Sequence, residues 1–306
     1  MRQRATRNLS STAVVVGLAV AALAYPRGAA AQAGLGPSGR LRMGGIFHEN
    51  FFQLPPDAPR QDIWARFVEV TFEDPVGPDS PTRTFLRVDL QQFAAIGISP
   101  GASLGFRLDD GTHIFDVAAS YEWNRPRLDI GDDVAPANVA GLAASYSYRG
   151  IPNVQITGQG RYYRDWLRDL PSDGRFDEVG GAVRYRGFGR ALSPEVGYAT
   201  GRRVTAIDGD KYQERTWFVT VRSSVVPRTY VTARYRNRFR EYTTVSPGSR
   251  NAGREDRRRQ MTASVDVDLG GGLLWNFSLR YEDALASRPG RSFTTLSMGS
   301  GITVVF

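Results

Sequence analysis

The stretch TARYRNRFREY puts arginine at Arg234, Arg236, Arg238 and Arg240, with Ala233, Tyr235, Asn237 and Phe239 between them. Four guanidinium groups so spaced could contact nucleic acid, form an ordinary solvated face, or line a path for anions. At 100° per residue a helix would scatter them around its axis, whereas on a strand alternate side chains share one face. The stretch therefore reads as a strand whose charged face runs for roughly 20 Å, at about 3.3 Å per residue. Neighbouring guanidinium groups about 7 Å apart repel by roughly 0.6 kcal/mol even at the dielectric of water, so something must offset them. Glu214, Asp256, Asp266 and Asp268 are the expected counter-charges on adjoining segments, while Arg222, Arg258 and Arg280 add positive charge nearby. More distant polar positions of the same kind hold Arg83, Arg87, Arg107, Arg184 and Arg186, with Glu69, Asp89, Asp116, Glu122 and Glu178.

Other chemistries find less support. Nucleic-acid binding needs basic residues interleaved with stacking aromatics on one surface, but Tyr235 and Phe239 fall on the face opposite the arginines, so nucleic acid is not an expected partner. The run Arg257-Arg258-Arg259 lies at the end of an expected strand, where a solvated rim or contact with lipid phosphate or lipopolysaccharide accounts for it. Catalysis would need a histidine set against a serine or carboxylate, and His48 and His113 are the only histidines. His113 shares the parity of Phe115 and Val117 beside a tight turn, which suits an interface. His48 precedes Glu49 and Asn50 and has no serine in a matching context, so no catalytic residue is assigned and no enzyme activity is expected. The histidines are not at metal-ligand spacing, Asp132-Asp133 and Asp208-Gly209-Asp210 read as turns, and GGGLL lacks the lysine and helix of a phosphate-binding loop. Neither a metal nor a cofactor is expected.

The chain opens with Arg2, Arg4 and Arg7, an apolar run from Ala13 to Ala24, and a small-residue tract ending Ala31-Gln32-Ala33. This is the layout of a secretory signal peptide cleaved near Ala33, since 12 apolar residues are too few for a bilayer core that needs about 20. The expected division is a leader over 1–33, a short linker over 34–39 and a single barrel over 40–306. The chain of 306 residues has no cysteine, which excludes disulfides and thiolate metal sites and suits export into a bacterial envelope. Removing the leader's four arginines takes the formal charge from +8 to +4, a modest basicity.

Beyond the leader no run of 18 apolar residues exists, and what recurs is alternation. His113, Phe115, Val117, Ala119, Tyr121 and Trp123 oppose Asp116, Ser120, Glu122 and Asn124; Met261, Ala263, Val265, Val267 and Leu269 oppose Thr262, Ser264, Asp266 and Asp268. Short turns at Asp109-Asp110-Gly111, Arg149 to Asn153, Val226 to Arg228 and Gly270 to Gly272 alternate with longer polar loops at Arg125 to Pro136, Asp165 to Arg175, Thr205 to Lys211, Thr243 to Glu255 and Asp283 to Ser292. Short connections on one rim and long on the other describe an up-and-down meander of about 14 strands, or 12 as the alternative, with both termini at the short-turn rim.

Alternation alone fits a soluble or a membrane barrel. The small residues on the apolar face suit lipid chains better than interdigitated packing, and aromatics such as Tyr121, Trp123, Tyr146, Tyr148, Tyr185, Trp217 and Tyr281 sit toward strand ends, as interfacial girdles do. The last stretch, LSMGSGITVVF, carries Met298, Ile302, Val304 and terminal Phe306 at alternate positions, with Ser300 where an apolar residue is usual. It resembles the C-terminal strand of bacterial outer-membrane β-barrels of the porin-like class, whose closing aromatic residue and alternating apolar positions are taken to be the signal for the barrel-assembly machinery. The resemblance covers the mature chain in architecture and implies an outer-membrane location, with outer-membrane lipid, lipopolysaccharide and that machinery as partners.

The expected fold is thus all-β, a transmembrane antiparallel up-and-down barrel. With Val231, Ala233, Tyr235 and Phe239 toward lipid, the arginines must line the lumen, because the reverse costs roughly 2 to 4 kcal/mol each near the midplane. Arg234, Arg236, Arg238, Arg240, Arg222, Arg258, Arg280, Arg184, Arg186, Glu214, Asp266 and Asp268 are the expected pore-lining set. The expected function is passive diffusion of small polar solutes with a preference for anions. The alternatives are a non-conducting barrel with a salt-bridged lumen, and an exporter of acidic polysaccharide.

Overall fold

The computed structural model describes residues 38–51, 53, 62–76, 80–94, 97–127, 135–167, 173–189, 191–205, 211–224, 226–244, 249, 251–288 and 291–306. The expected leader over 1–33 and most of the expected linker lie outside the described residues. Fourteen strands are formed, the larger of the two expected numbers: β1 (Ser38–Glu49), β2 (Ile63–Pro75), β3 (Thr82–Phe93), β4 (Gly97–Asp109), β5 (His113–Arg127), β6 (Ala135–Tyr148), β7 (Val154–Leu167), β8 (Asp173–Tyr185), β9 (Ser193–Thr205), β10 (Tyr212–Ser223), β11 (Thr229–Tyr242), β12 (Glu255–Gly270), β13 (Leu273–Ala286) and β14 (Phe293–Val305). Each pairs with its sequence neighbours, and β1 pairs with β14, so the sheet closes on itself and leaves no edge.

All pairs are antiparallel and the register holds side-chain parity almost throughout. Trp64, Leu104, Leu142, Val179, Val196, Tyr198, Met261 and Leu269 are all more than half exposed, and all project outward. In water so many large apolar residues on one surface would not be tolerated; in a bilayer they form the lipid-facing band. Aromatic pairs mark its two borders. Phe47–Trp64 and Tyr121–Trp123 stand near the long-loop rim, with centroids 5.2 and 4.4 Å apart. Phe72–Phe306 and Phe106–Phe115 stand near the short-turn rim, at 6.4 and 5.8 Å. His113 belongs to this lower border, with its Nδ1 2.7 Å from the Tyr146 hydroxyl.

Several strands run further than alternation alone indicates. β5, β6, β7 and β8 extend into the segments expected to be loops, so the connections they flank shorten to 128–134 and 168–172. The reason is that backbone pairing continues past the apolar band, where polar side chains no longer alternate with apolar ones. The short turns use local chemistry. Asp110 accepts the His113 and Thr112 N–H groups at 2.6 and 2.9 Å, and these bonds, His113 first, hold its carboxyl below the usual range. Gly270, Gly271 and Gly272 all take φ between 62° and 87°, a conformation that side chains with a Cβ rarely adopt.

Closure falls on the two chain ends of the barrel. Gly39 and Phe306 exchange backbone hydrogen bonds of 2.8 and 2.9 Å, and the Phe306 ring covers a small apolar cluster built from Leu41, Val70, Val68 and Phe72. A side chain at Gly39 would strike that ring. Phe306→Ala is therefore expected to destabilise the closed barrel by on the order of 2 kcal/mol, less than for a fully buried ring, seen as a lower temperature of the heat-induced mobility change in gel electrophoresis. Val305→Ala, at a lumen-side position, should move that temperature much less.

Candidate functional site

The register sends Arg234, Arg236, Arg238 and Arg240 into the lumen, where they face Thr220, Phe218, Thr216 and Glu214 of β10 on one side and Thr262, Gln260, Arg258 and Asp256 of β12 on the other. Arg238 and Arg258 thus stand directly opposite each other, an unfavourable like-charge pair. Glu214 answers it in part: its carboxylate lies 3.3 Å from Arg238 Nε, as an ion pair without hydrogen-bond alignment, and accepts from Arg240 Nε and Nη2 at 3.2 and 3.1 Å. Asp256 is held by Arg254, which donates to both of its oxygens at 2.7 Å, and is 3.8 Å from Arg258. Glu282 is also 3.8 Å from Arg258.

Asp266 and Asp268, expected as counter-charges, do not reach the row. Asp266 is opposite Tyr230 and Asn276, near the short-turn rim, and accepts a hydrogen bond from the Asn276 amide. Asp268 accepts the Gly270 N–H at 2.8 Å and so shapes the turn after β12. The register sets Asp266 level with Tyr230, four residues from Arg234 toward the short-turn rim, so both aspartates lie at the wrong height for the row.

Aromatic residues in the lumen carry the next layer of the site, and the alternation pattern assigns them no role. A Cβ on Gly44, Gly105, Gly197 or Gly201 would strike the ring of Phe67, Phe85, Phe218 or Phe176 respectively. Each ring therefore lies against a neighbouring strand's bare backbone, a known way of shielding a glycine in a sheet. Phe218, set down over Gly197, offers its face to Arg234, whose guanidinium carbon is 4.1 Å from the ring centroid. Tyr212 does the same for Arg240 at 3.9 Å. A paired lumen Phe beside a strand glycine was the available sequence signal.

The row borders a cavity of about 380 Å³ whose lining includes Arg125, Arg161, Arg234, Arg236, Arg238 and Arg240 against Glu178 and Glu214. Six arginines to two glutamates leave this stretch strongly positive. Arg125, absent from the expected set, enters from β5 just past the irregularity between Glu122 and Arg125. The strand seven places round the barrel from β11 is β4, whose lumen positions Gly97, Ser99, Gly101, Ser103 and Gly105 project almost nothing.

Elsewhere the charges brace the wall. Arg87 pairs with Glu69 at 3.3 Å, Arg107 with Asp116 at 2.6 Å, Arg161 with Glu178 at 2.6 Å, Arg222 with Glu195 at 3.0 Å and Arg203 with Asp165 at 3.0 Å. Arg184 also pairs with Glu195, and Arg186, just beyond β8, donates to Gln155. These pairs join strands one or two places apart, and none of them crosses the lumen. Arg280 faces the lumen exposed, with no ion pair among the described residues.

His48 differs from its sequence reading. Its Nδ1 is 2.8 Å from Ser297 Oγ, because β14 returns beside β1 with Ser297 in register opposite His48. The pair sets a hydroxyl beside an imidazole, and no carboxylate hydrogen-bonds His48 among the described residues.

Glu214→Gln removes the carboxylate that two guanidinium groups share, one of them, Arg240, only 6% exposed. The variant is expected to lose on the order of 2–3 kcal/mol, short of the full penalty for an orphaned buried charge because Arg238 is partly open to solvent. Urea unfolding in lipid vesicles measures it.

No protein-family model matches the chain, and no curated protein matches it in sequence. Among solved structures it is similar in fold to CdiB from Acinetobacter baumannii, at 7% identity over 88% of this chain and 60% of that one, with a TM-score of 0.50. It is also similar to the trimer form of OmpT, an outer membrane protein of Vibrio cholerae, at 12% identity over 88% and 98% of the two chains, TM-score 0.49. An anion-selective porin from Comamonas acidovorans gives 9% identity over 88% and 98%, TM-score 0.47. At such identities the likeness concerns the fold alone. The closed fourteen-strand barrel with its apolar outer band is that of a bacterial outer-membrane β-barrel protein.

Proposed function

We propose that the barrel is a channel for passive diffusion of small polar solutes that prefers anions. The observation that carries this reading is the cavity beside β11, where six arginines outnumber two glutamates, faced by a strand of glycine and serine that leaves room. A charged wall of one sign with low-dielectric material behind it concentrates counter-ions, and rings or rows of arginine favour anions in pores. The alternative of a salt-bridged plug is less well supported, since the ion pairs described run along the wall. In the same reading Phe306 serves recognition by the barrel-assembly machinery, outward-facing Arg257 and Arg259 meet the phosphates of lipopolysaccharide, and no catalytic step is involved.

Planar-bilayer recording of the refolded protein under a potassium chloride gradient is the test. Stable conductance with a reversal potential of the anion-selective sign is expected, and replacing Arg236 and Arg238 by Ser should move that potential toward the non-selective value. A folded, heat-modifiable barrel that conducts nothing, or conducts cations preferentially, would overturn the proposal.

A further inference from the structure

The four arginines of β11 are not equivalent. Arg238 and Arg240 share Glu214. Arg234 and Arg236 have no carboxylate in ion-pair reach among the described residues; their Nε atoms, like that of Arg238, are buried without an acceptor. They are the sixth and eighth residues of a 14-residue strand, halfway through the barrel. The Phe218 ring takes one face of the Arg234 guanidinium and leaves its N–H edge, the part that binds oxyanions, unused. Arg161, on the same cavity, is already engaged by Glu178 through Nε and Nη2 at 2.9 and 2.6 Å. Uncompensated charge is thus concentrated at one height.

We infer that Arg234 and Arg236 form a binding site for a doubly charged oxyanion of the phosphate-monoester type, so that such solutes are held in passage rather than merely admitted. This rests on the reading of the barrel as an anion path. Two guanidinium groups about 7 Å apart along one strand face can converge on one group. A phosphate monoester supplies close to two negative charges and three acceptor oxygens to them. A monocarboxylate or chloride satisfies only one. The cavity of 380 Å³ is at the lower end of the range that holds small organic ligands, which suits a monosaccharide phosphate. Gln159 and Thr216 on its lining offer neutral hydrogen bonds to the sugar.

The experiment titrates glucose 6-phosphate at pH 8 against the chloride current of single channels, with glucose and glucuronate as controls. Saturable block by the phosphate ester is expected, with weak block by glucuronate and none by glucose. Arg234→Gln and Arg236→Gln should each weaken the block roughly tenfold, the effect of losing a charged hydrogen-bond partner, whereas Arg87→Gln, at a lumen position of β3 away from the cavity and paired with Glu69, should leave it little changed. Arg236→Lys, which keeps the charge without the fork, should fall between and guards against a folding defect in the glutamine variant. An anion-selective current without saturable block, or equal weakening by Arg87→Gln, overturns the site and leaves the channel reading standing. If the barrel does not conduct at all, titration calorimetry of glucose 6-phosphate into the detergent-solubilised protein decides: binding lost in Arg236→Gln supports the site, and no binding overturns it.

Discussion

Hydrocarbon offers no partner to a backbone N–H or C=O, so a sheet that enters a bilayer must satisfy all of its own hydrogen bonds. The pairing of β1 with β14 meets that demand here, and the remaining features follow from it. Once the sheet is closed, period-two geometry gives every strand one face toward lipid and one toward the lumen. The apolar set then has only one place to go, and the charges have the other. The small cluster under Phe306, at the junction of the two chain ends, is where this closure is locally reinforced.

Inside the barrel the competing terms are mutual repulsion among guanidinium groups and the desolvation of any carboxylate brought in to neutralise them. Most of the wall resolves this with ion pairs between neighbouring strands, such as Arg161 with Glu178 and Arg222 with Glu195. Along β11 neutralisation is incomplete, because one carboxylate, Glu214, serves two cations, while the next acid, Asp256, is occupied by Arg254. The lumen phenylalanines reach over glycines of the next strand and so lie against the wall. Charge and side-chain bulk are therefore set by different residues: arginine supplies the positive charge, and the small lumen-side residues of β4 project little into the interior.

Much of the fold could be read from the residue order. Alternation on β5 and β12, the short turns at Asp110 and Gly271, and the terminal Phe306 all correspond to observed features. Loop boundaries were harder to read, because hydrogen bonding continues past the apolar band, where the pattern that marks a strand has stopped. The site was readable only in outline. The parity of Arg234 to Arg240 follows from their spacing, but which of them keeps an uncompensated charge does not.

By itself the sequence determined the period, the polarity of the two faces and the alternation of connections, because these are properties of neighbouring residues along one chain. Tertiary structure decided the cross-strand register. That register gave Glu214 to Arg238 and Arg240, drew Asp266 and Asp268 away to the short-turn rim, and brought Ser297 to His48 across 249 positions of chain. The physical reason is that ionic and hydrogen-bond contacts act over a few ångströms in space, and distance in space between residues on different strands is fixed by how the closed sheet is staggered, a quantity no local pattern contains.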